Sequence, residues 1–415
     1  MQKLPIGIQS FEKIRTENYL YVDKTEHIYS LLDSAGYYFF SRPRRFGKSL
    51  LISTLKEIFL GKKELFKGLF IEDKIEWNKY PVLHFNWTEI DYKTLGLEKT
   101  IEENLFYQAS LYEIKLESKT IHSQLQELVR KLHKKYNQQV VLLIDEYDKP
   151  IIDFLSDEQI HIAEENREIM KNFYSPIKSL DNELRFFFLT GVSRFTKVSV
   201  FSDLNHLKDI TLTRLGYSLV GYTEPEVHTY FDNYITKIAK EKEITEEELK
   251  QEIRSWYNGY SFGGERLYNP FSVLNFIDDR EFNNYWFATG TPTFLVKLMQ
   301  KGNYYDMDNQ IMDLQTLGSF DIAEMQPITI LFQTGYLTLI EKLDMNVYRL
   351  GYPNKEVKNS MLNMLLSTYT YQQKGYSVPL VFELKQAFLH QDFEKLFIHF
   401  TTLFAKIPLT PLTKL

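Results

Sequence analysis

Ser41-Arg-Pro-Arg-Arg-Phe-Gly-Lys-Ser49 is the stretch of sequence that decides the predicted fold. It follows a short β-rich run, Tyr37–Ser41, and leads into residues 48–60, whose apolar side chains recur with helical spacing. A glycine-containing turn between a strand and a helix directs backbone N–H groups and the positive end of the helix dipole toward an anion. The stretch therefore predicts a phosphate-binding loop.

The residue types within this loop suggest separate roles. Gly47 lets the backbone approach a phosphate closely, Lys48 suits the β- and γ-phosphates, and the Ser49 hydroxyl suits Mg²⁺. The match to the Walker A consensus is incomplete, because Arg42 stands where the first glycine is expected, and an ordinary exposed helix start is the alternative. Arg44 and Arg45 either contact phosphate or lie exposed, and the sequence leaves both open. The residues assigned to nucleotide contact are Arg42, Pro43, Arg44, Arg45, Phe46, Gly47, Lys48, Ser49 and Leu50.

A second motif is the continuous apolar run Val140–Asp145, which is followed by Glu146. Such a run is typical of a strand buried on both faces of a parallel sheet, and its carboxyl end lies where α/β proteins bind ligands. This is the Walker B pattern, in which Asp145 would bind Mg²⁺ and Glu146 would act as the general base toward water. The alternative is a carboxylate that caps the following helix. Asp148 is interpreted as a turn residue.

A third group of polar residues follows the next predicted strand, residues 185–190. Thr190 ends this strand and is placed to contact a γ-phosphate or the attacking water. Arg194 would stabilise charge on the transferred phosphoryl group, within one subunit or across an interface. A simple strand cap and a surface arginine explain the two residues equally well. The catalytic assignments are Glu146, Lys48, Thr190 and Arg194, and the metal ligands are Ser49 and Asp145.

Strands and helices alternate through the first half of the chain, which predicts a parallel sheet covered by helices on both faces. The predicted strands are residues 37–41, 82–87, 140–145, 185–190 and 210–212, and the predicted helices are 48–60, 97–116, 120–136 and 157–180. We therefore expect an α/β fold of the P-loop NTPase class over residues 1–215. Helical patterns at 223–234, 245–257 and 295–300, with small β elements at 336–340 and 347–350, predict a mainly helical second domain over 216–344. Residues 345–415 are predicted to be a helical connector.

Composition excludes several classes of function. The chain of 415 residues has no cysteine, so disulfides, thiolate catalysis and cysteine-ligated metals are excluded. Its net charge of −6 shows no basic footprint for nucleic acid at the level of the whole chain, although a local patch stays possible. The N-terminus lacks the apolar stretch of a signal peptide, and no run has the length of a membrane span. We expect no membrane association and a cytoplasmic location.

Several motifs, in this order, carry a family resemblance. They are LPIGIQSFEKI (4–14), YVDKT (21–25), RPRRFGKS (42–49), LLIDEYDKP (142–150), LTGVSRF (189–195), WYNGYSF (256–262), YNPFSVL (268–274), YWFATGTP (285–292), FQTGYL (332–337) and LGYPNKEVK (350–358). Together they resemble the AAA-ATPase-like family of bacterial and archaeal P-loop ATPases, whose members are often fused to a C-terminal PD-(D/E)xK nuclease domain. The resemblance implies ATP and Mg²⁺ as cofactors, and it accounts for Arg42, since the family's loop resembles RPRRFGKS.

The C-terminus is where the chain departs from that pattern, because it ends where a nuclease domain would begin. Glu383-Leu-Lys385 matches the E-x-K element of such a nuclease. However, residues 381–389 have helical spacing, and no aspartate precedes them within reach of a hairpin. We therefore interpret the protein as an ATPase module that ends at the domain boundary, and not as a nuclease.

The functional expectation is Mg-ATP binding and hydrolysis, with residues 216–344 acting as a lid or relay. One alternative is a nucleotide-dependent signalling switch with negligible turnover, and another is the ATPase part of a truncated nucleic-acid-processing enzyme. The aromatic clusters at 256–262 and 285–286 favour packing over base stacking. Asp23 and Lys24 either flank the nucleotide or form a local salt bridge or helix cap. A protein or nucleic-acid partner is expected but not identified, and a homo-oligomer is possible.

Overall fold

A five-stranded parallel sheet forms the centre of the protein. The computed structural model describes residues 1–33, 36–195, 204, 206–287, 307–318, 326–369 and 377–405. The strands are β1 (Tyr37–Ser41), β2 (Val82–Asn86), β3 (Val140–Asp145), β4 (Leu184–Gly191) and β5 (Lys208–Asp209). They lie in the order β2-β3-β4-β1-β5, and each neighbouring pair is parallel. The two motif-bearing strands β1 and β3 are therefore separated by β4.

Helices flank this sheet because its strands are apolar on both faces. All six residues of β3 are buried. The helices of the first half are α1 (Phe11–Thr16), α2 (Thr25–Leu32), α3 (Lys48–Phe59), α4 (Tyr92–Leu95), α5 (Leu97–Leu111), α6 (Ile121–Tyr136), α7 (Lys149–Ile152) and α8 (Ile160–Tyr174). In α6, for example, Leu125, Leu128 and Leu132 are buried on one face and cationic residues occupy the last turn, where the helix dipole favours them. The α/β architecture predicted from the sequence is confirmed.

Four predicted elements have different bounds in the structure, one of which is the helix predicted over 223–234, which extends to Glu241. The fifth strand is Lys208–Asp209 and not residues 210–212, because a turn begins there: the Asp209 carboxylate accepts from the Thr211 N–H at 2.9 Å. The helix predicted over 157–180 ends at Tyr174 and continues as a 3₁₀ turn, Ser175–Leu180, around Pro176, which has no N–H to donate. The helix predicted over 97–116 ends at Leu111. The helix predicted at 295–300 lies outside the described residues.

The second half is mainly helical, with one small antiparallel sheet. Its helices are α9 (Glu224–Glu241), α10 (Glu246–Tyr257), α11 (Pro270–Asp279), α12 (Leu314–Gly318), α13 (Pro327–Thr334), α14 (Lys355–Tyr369), α15 (Ser377–Leu389) and α16 (Phe393–Ala405). Thr223 and Thr245 begin α9 and α10 with complete capping boxes. The sheet has the order β6-β8-β7, from β6 (Gln310–Asp313), β7 (Thr338–Lys342) and β8 (Val347–Gly351). The sequence predicted β7 and β8 but missed β6.

The main hydrophobic core extends from the parallel sheet into the second half of the chain. Tyr260, Phe262, Trp286 and Phe332 belong to the same buried cluster as the strands β1 to β4. A smaller core joins α9, α10 and α11. Among the helices that the structure describes, none is both long and apolar enough to cross a membrane. The second half therefore packs directly behind the phosphate loop, and the domain boundaries proposed from the sequence stay predictions.

Candidate nucleotide site

The carboxyl ends of three parallel strands bring the predicted motifs together. Ser41 of β1 is paired in register with Gly191 of β4, and Ile144 of β3 is paired with Leu189. The loop after β1, the carboxylates after β3 and the polar end of β4 therefore meet at one edge of the sheet. In α/β proteins this edge is the usual location of a ligand site.

A cavity of about 360 Å³ opens at this edge. Its polar side includes Arg44, Arg45, Lys48, Ser49, Glu146 and Asp148. Its apolar side includes Pro5, Ile8, Ile152, Tyr222, Phe271 and Leu274. The volume and the mixed lining are those of a small-molecule site. Two contributions were missed from the sequence, the N-terminal segment around Ile8 and the face of α11 around Phe271, although both lie in motifs that carry the family resemblance.

The loop between β1 and α3 has the backbone shape of an anion site. Gly47 adopts φ 97° and precedes the first residue of α3. A side chain built at Gly47 would meet no atom within 4 Å, so the space in front of its backbone is open. Arg45 also has a positive φ, 64°. The turn thus directs the free N–H groups of a 12-residue helix into the cavity.

Lys48 lies under this loop and beside the acidic strand end. The residue is 3% exposed, and its Nζ donates to the carbonyl oxygens of Arg42 at 3.1 Å and Pro43 at 3.3 Å. The same nitrogen lies 3.5 Å from Oε1 of Glu146. Lys48 therefore joins the loop to the predicted general base.

Asp145 is held in place by β4. The Thr190 hydroxyl donates to Asp145 Oδ1 at 2.6 Å, and the Glu146 N–H donates to the same oxygen at 3.0 Å. Among the described residues, no group donates a hydrogen bond to Asp145 Oδ2. Asp145 is nearly fully buried. A buried carboxylate with one fixed and one available oxygen suits a metal ligand.

Glu146 has an unusual backbone conformation for a residue with a side chain. Its φ is 54°, in the left-handed region, which costs about 1–3 kcal/mol for a residue other than glycine. Its side chain is 22% exposed and faces the cavity. This strain turns the carboxylate away from the strand and toward the phosphate loop.

Asp148 is more than the turn residue predicted from the sequence. It lines the cavity, is almost fully buried, and accepts from the N–H groups of Val192 at 3.0 Å and Ser193 at 2.6 Å. Burial, and then the neighbouring charge of Glu146, raise the pKa of Asp148 to about 7. Asp148 thus fastens the segment after β4 to the acidic strand end.

Six predicted site residues do not line the cavity: Arg42, Pro43, Phe46, Asp145, Thr190 and Arg194. The Arg42 guanidinium donates to the carbonyls of Ser41, Thr211 and Gly216 at 2.6–2.9 Å and lies over the rings of Phe40 and Phe262. Its side chain therefore supports the loop from behind. Phe46 packs edge-on against Tyr260 and Phe262.

Thr190 and Arg194 have other contacts. Thr190 bonds to Asp145, as described, and is placed to act through that carboxylate. Arg194 forms an ion pair with Asp209 at 2.5 Å and lines a different cavity. The structure thus does not bring Arg194 to the phosphate loop, because the Arg194 guanidinium binds the carboxylate of Asp209 on β5.

The structure also shows the contacts of Lys24 and Asp23 and the position of the C-terminal E-x-K element. Lys24 forms a buried ion pair with Glu226, 202 residues later, at 2.7 Å. The Asp23 carboxylate accepts from Thr25 and from the Phe70 N–H, and neither Asp23 nor Lys24 lines the 360 Å³ cavity. Glu383 and Lys385 lie on the helix α15, where the strand of a nuclease site is absent.

Two comparisons with known proteins identify what the chain is similar to. Residues 5–201 match the family described as predicted AAA-ATPase. A protein of Azotobacter chroococcum mcd 1, described as an uncharacterized protein in the vnfD 5' region, is 40% identical to the chain, over 98% of this chain and 78% of that protein.

Proposed function

Because the chain belongs to the predicted AAA-ATPase family, we propose that it binds Mg-ATP in the 360 Å³ cavity and hydrolyses it there. The observation that carries this proposal is the meeting of Lys48, Ser49 and Glu146 in one cavity, with the carboxylate of Asp145 fixed beside them. Phosphoryl transfer needs a cationic phosphate cradle, a metal site and a group that orients water, and these residues supply all three.

The residues have separate parts in the proposed reaction. The loop N–H groups and Lys48 bind the phosphates, and Arg44 and Arg45 add positive charge at the cavity wall. Ser49 and Asp145 would hold Mg²⁺, which when bound neutralises charge on the phosphate oxygens. Glu146 accepts the proton of the attacking water, and Thr190 keeps the Asp145 carboxylate oriented.

A second candidate function is a nucleotide-dependent switch with negligible turnover. Lys48 lies 3.5 Å from Glu146, so the two groups attract each other. While that contact lasts, the carboxylate of Glu146 is directed at a cation and not at an attacking water. A rate of ATP hydrolysis near zero, with tight binding, would favour this candidate. The role in nucleic-acid processing has no comparable observation in its favour.

We also propose that the chain forms a homo-oligomer through the hairpin α15–α16. Its outer surface carries large apolar side chains that are 38–69% exposed: Val381, Phe382, Phe388, Leu389, Phe393, Phe397, Ile398 and Phe400. Together they expose roughly 800 Å², which is the area that each partner buries in a standard interface. Glu383, Lys385, Glu394 and Lys395 supply both signs of charge, so a second copy is a complementary partner.

The proposed function is tested by nucleotide binding and turnover in matched variants. Lys48→Ala should abolish ATP binding, whereas Glu146→Gln should keep binding and lose hydrolysis. Lys56→Ala is the control, because Lys56 lies on the same helix, α3, outside the cavity. Equal ATP affinity in wild type, Lys48→Ala and Lys56→Ala would refute the site.

A further inference from the structure

The carbonyl groups of the phosphate loop accept hydrogen bonds from residues far away in the sequence, which gives those residues a function. A loop that binds phosphate directs its N–H groups toward the ligand, so its carbonyl groups point the other way. Each buried carbonyl needs a hydrogen-bond donor, because an unpaired one costs free energy. The donors behind the loop therefore decide which loop conformation is stable.

Four of these carbonyls, those of Arg42, Pro43, Arg44 and Phe46, have a donor in the structure. Lys48 Nζ donates to the carbonyls of Arg42 and Pro43, and the Gly221 N–H donates to the Phe46 carbonyl at 3.2 Å. The Arg44 carbonyl accepts from the indole N–H of Trp286 at 3.0 Å. Arg44 itself lines the cavity, so this hydrogen bond lies directly behind a residue of the phosphate site.

Trp286 is in turn fixed by Glu356. The Trp286 backbone N–H donates to Glu356 Oε1 at 2.6 Å, and the Ser272 hydroxyl donates to Oε2 at 2.8 Å. Ser272 lies on α11, the helix that also presents Phe271 to the cavity. One buried carboxylate thus joins the back of the loop to the apolar wall of the cavity.

An ion pair does not explain the position of the Glu356 carboxylate between Trp286 and Ser272. Glu356 is fully buried, and no cation of the described residues forms an ion pair with it. An isolated buried carboxylate is costly unless its hydrogen bonds are needed. Its two acceptor oxygens are both used, one for Trp286 and one for Ser272.

We propose that Glu356 and Trp286 are a positioning pair that holds the phosphate loop in its nucleotide-binding conformation through the carbonyl of Arg44. The inference rests on the proposed function for its effect on ATP, but the geometry of the loop can be tested without nucleotide. The pair makes the second half of the chain part of the phosphate site, since Glu356 lies more than 300 residues after the loop.

Nucleotide affinity in Trp286→Phe is the first test. Phenylalanine keeps an aromatic ring against Tyr260 and Tyr336 but removes the indole N–H. We expect ATP to bind about 3- to 10-fold more weakly, the loss of one hydrogen bond, with a higher KM for ATP and a smaller change in kcat. Trp256→Phe is the matched control, because Trp256 packs on Phe282 and does not contact the loop. Equal affinity in both variants and wild type would overturn the proposal.

Glu356 provides a second pair of variants. In Glu356→Gln the amide oxygen can still accept from the Trp286 N–H, and the amide nitrogen can donate to the Ser272 hydroxyl. We expect Glu356→Gln to bind ATP within about twofold of wild type and Glu356→Ala to lose at least as much affinity as Trp286→Phe. A loss in Glu356→Gln as large as that in Glu356→Ala would show that charge, and not hydrogen bonding, is what matters.

Amide hydrogen exchange of the loop separates this inference from the proposed function. Measured without nucleotide, exchange at residues 44–48 should be faster in Trp286→Phe and Glu356→Ala than in wild type, Trp256→Phe and Glu356→Gln. If wild type binds no ATP, the proposed function fails, and the exchange data still decide on the positioning pair. Unchanged loop exchange in both Trp286→Phe and Glu356→Ala would refute the pair whether or not ATP binds.

Discussion

Replacing Arg42 with alanine should damage the fold more than any other single change in the phosphate loop. The guanidinium is fully buried, and it donates to three backbone carbonyls, those of Ser41, Thr211 and Gly216. Burial lowers the pKa of Arg42 to about 9, so the group is still charged at neutral pH. The side chain therefore connects β1 to the segment after β5.

The size of the effect follows from these contacts. Arg42→Ala leaves three acceptors without a donor, and each buried unpaired acceptor costs about 1–3 kcal/mol. The contacts with the rings of Phe40 and Phe262 are lost as well. Removing the buried charge recovers its desolvation cost, which offsets part of the loss. We expect the free energy of unfolding to fall by about 3–5 kcal/mol, a large share of the total for a typical protein.

Chemical denaturation followed by tryptophan fluorescence measures this loss. Arg45→Ala is the control, since Arg45 belongs to the same loop but is exposed and makes one cation–π contact with Phe271. The control should lose no more than about 1 kcal/mol. If Arg42→Ala unfolds within 1 kcal/mol of Arg45→Ala, on the order of the control's own loss, then the buried hydrogen bonds of Arg42 do not support the loop as described.

Three further predictions concern the metal ligand, the buried glutamate and the exposed hairpin. Thr190→Val removes the donor to Asp145 and should weaken Mg²⁺-dependent ATP binding about tenfold or more, whereas Thr190→Ser should restore it. Equal ATP affinities for wild type, Thr190→Val and Thr190→Ser in titrations with Mg²⁺ present would contradict this. Burial raises the pKa of Glu356 to about 7 from 4.5, so the folded state holds this proton more tightly than the unfolded state. The contribution of Glu356 to the free energy of unfolding is complete below about pH 4.5, and roughly 3 kcal/mol of it is lost as the pH rises through 7. Glu356→Gln should therefore make the free energy of unfolding less dependent on pH, as measured by denaturation at a series of pH values between 4.5 and 8. The titratable side chains that face Glu356 are Tyr257, Tyr260 and Tyr285. Their pKa values are raised above 10, so they stay neutral over this range. Phe388→Glu with Phe397→Glu should convert an oligomer to a monomer by light scattering, and an unchanged mass would exclude the hairpin as the interface.

The sequence predicted the parts of the fold that local pattern determines. Val140–Asp145 is recognisable as a buried strand because six apolar or strand-ending residues follow one another, and the start of α3 at Lys48 follows from the Gly47 turn. The positions of Lys48, Ser49 and Glu146 in one cavity follow from these elements and from the common edge of a parallel sheet.

The rest depended on contacts between residues distant in the sequence. Nothing in the loop alone shows that Arg42 is buried, because two of its three acceptors, the carbonyls of Thr211 and Gly216, lie 169 and 174 positions later. Arg194 was assigned to the phosphate site since its strand end lies nearby, but Asp209 binds it instead. Asp148 was interpreted as a turn residue because its N–H donors, Val192 and Ser193, lie on another strand end.

The most direct test of the central claim is ATP turnover with Mg²⁺ by wild type and Glu146→Gln, with and without DNA, alongside ATP binding by both. We expect both proteins to bind ATP and turnover in Glu146→Gln to fall by about 10²-fold or more. Turnover in Glu146→Gln equal to that of wild type would contradict the assignment of the general base, and absence of binding in wild type would contradict the nucleotide site itself.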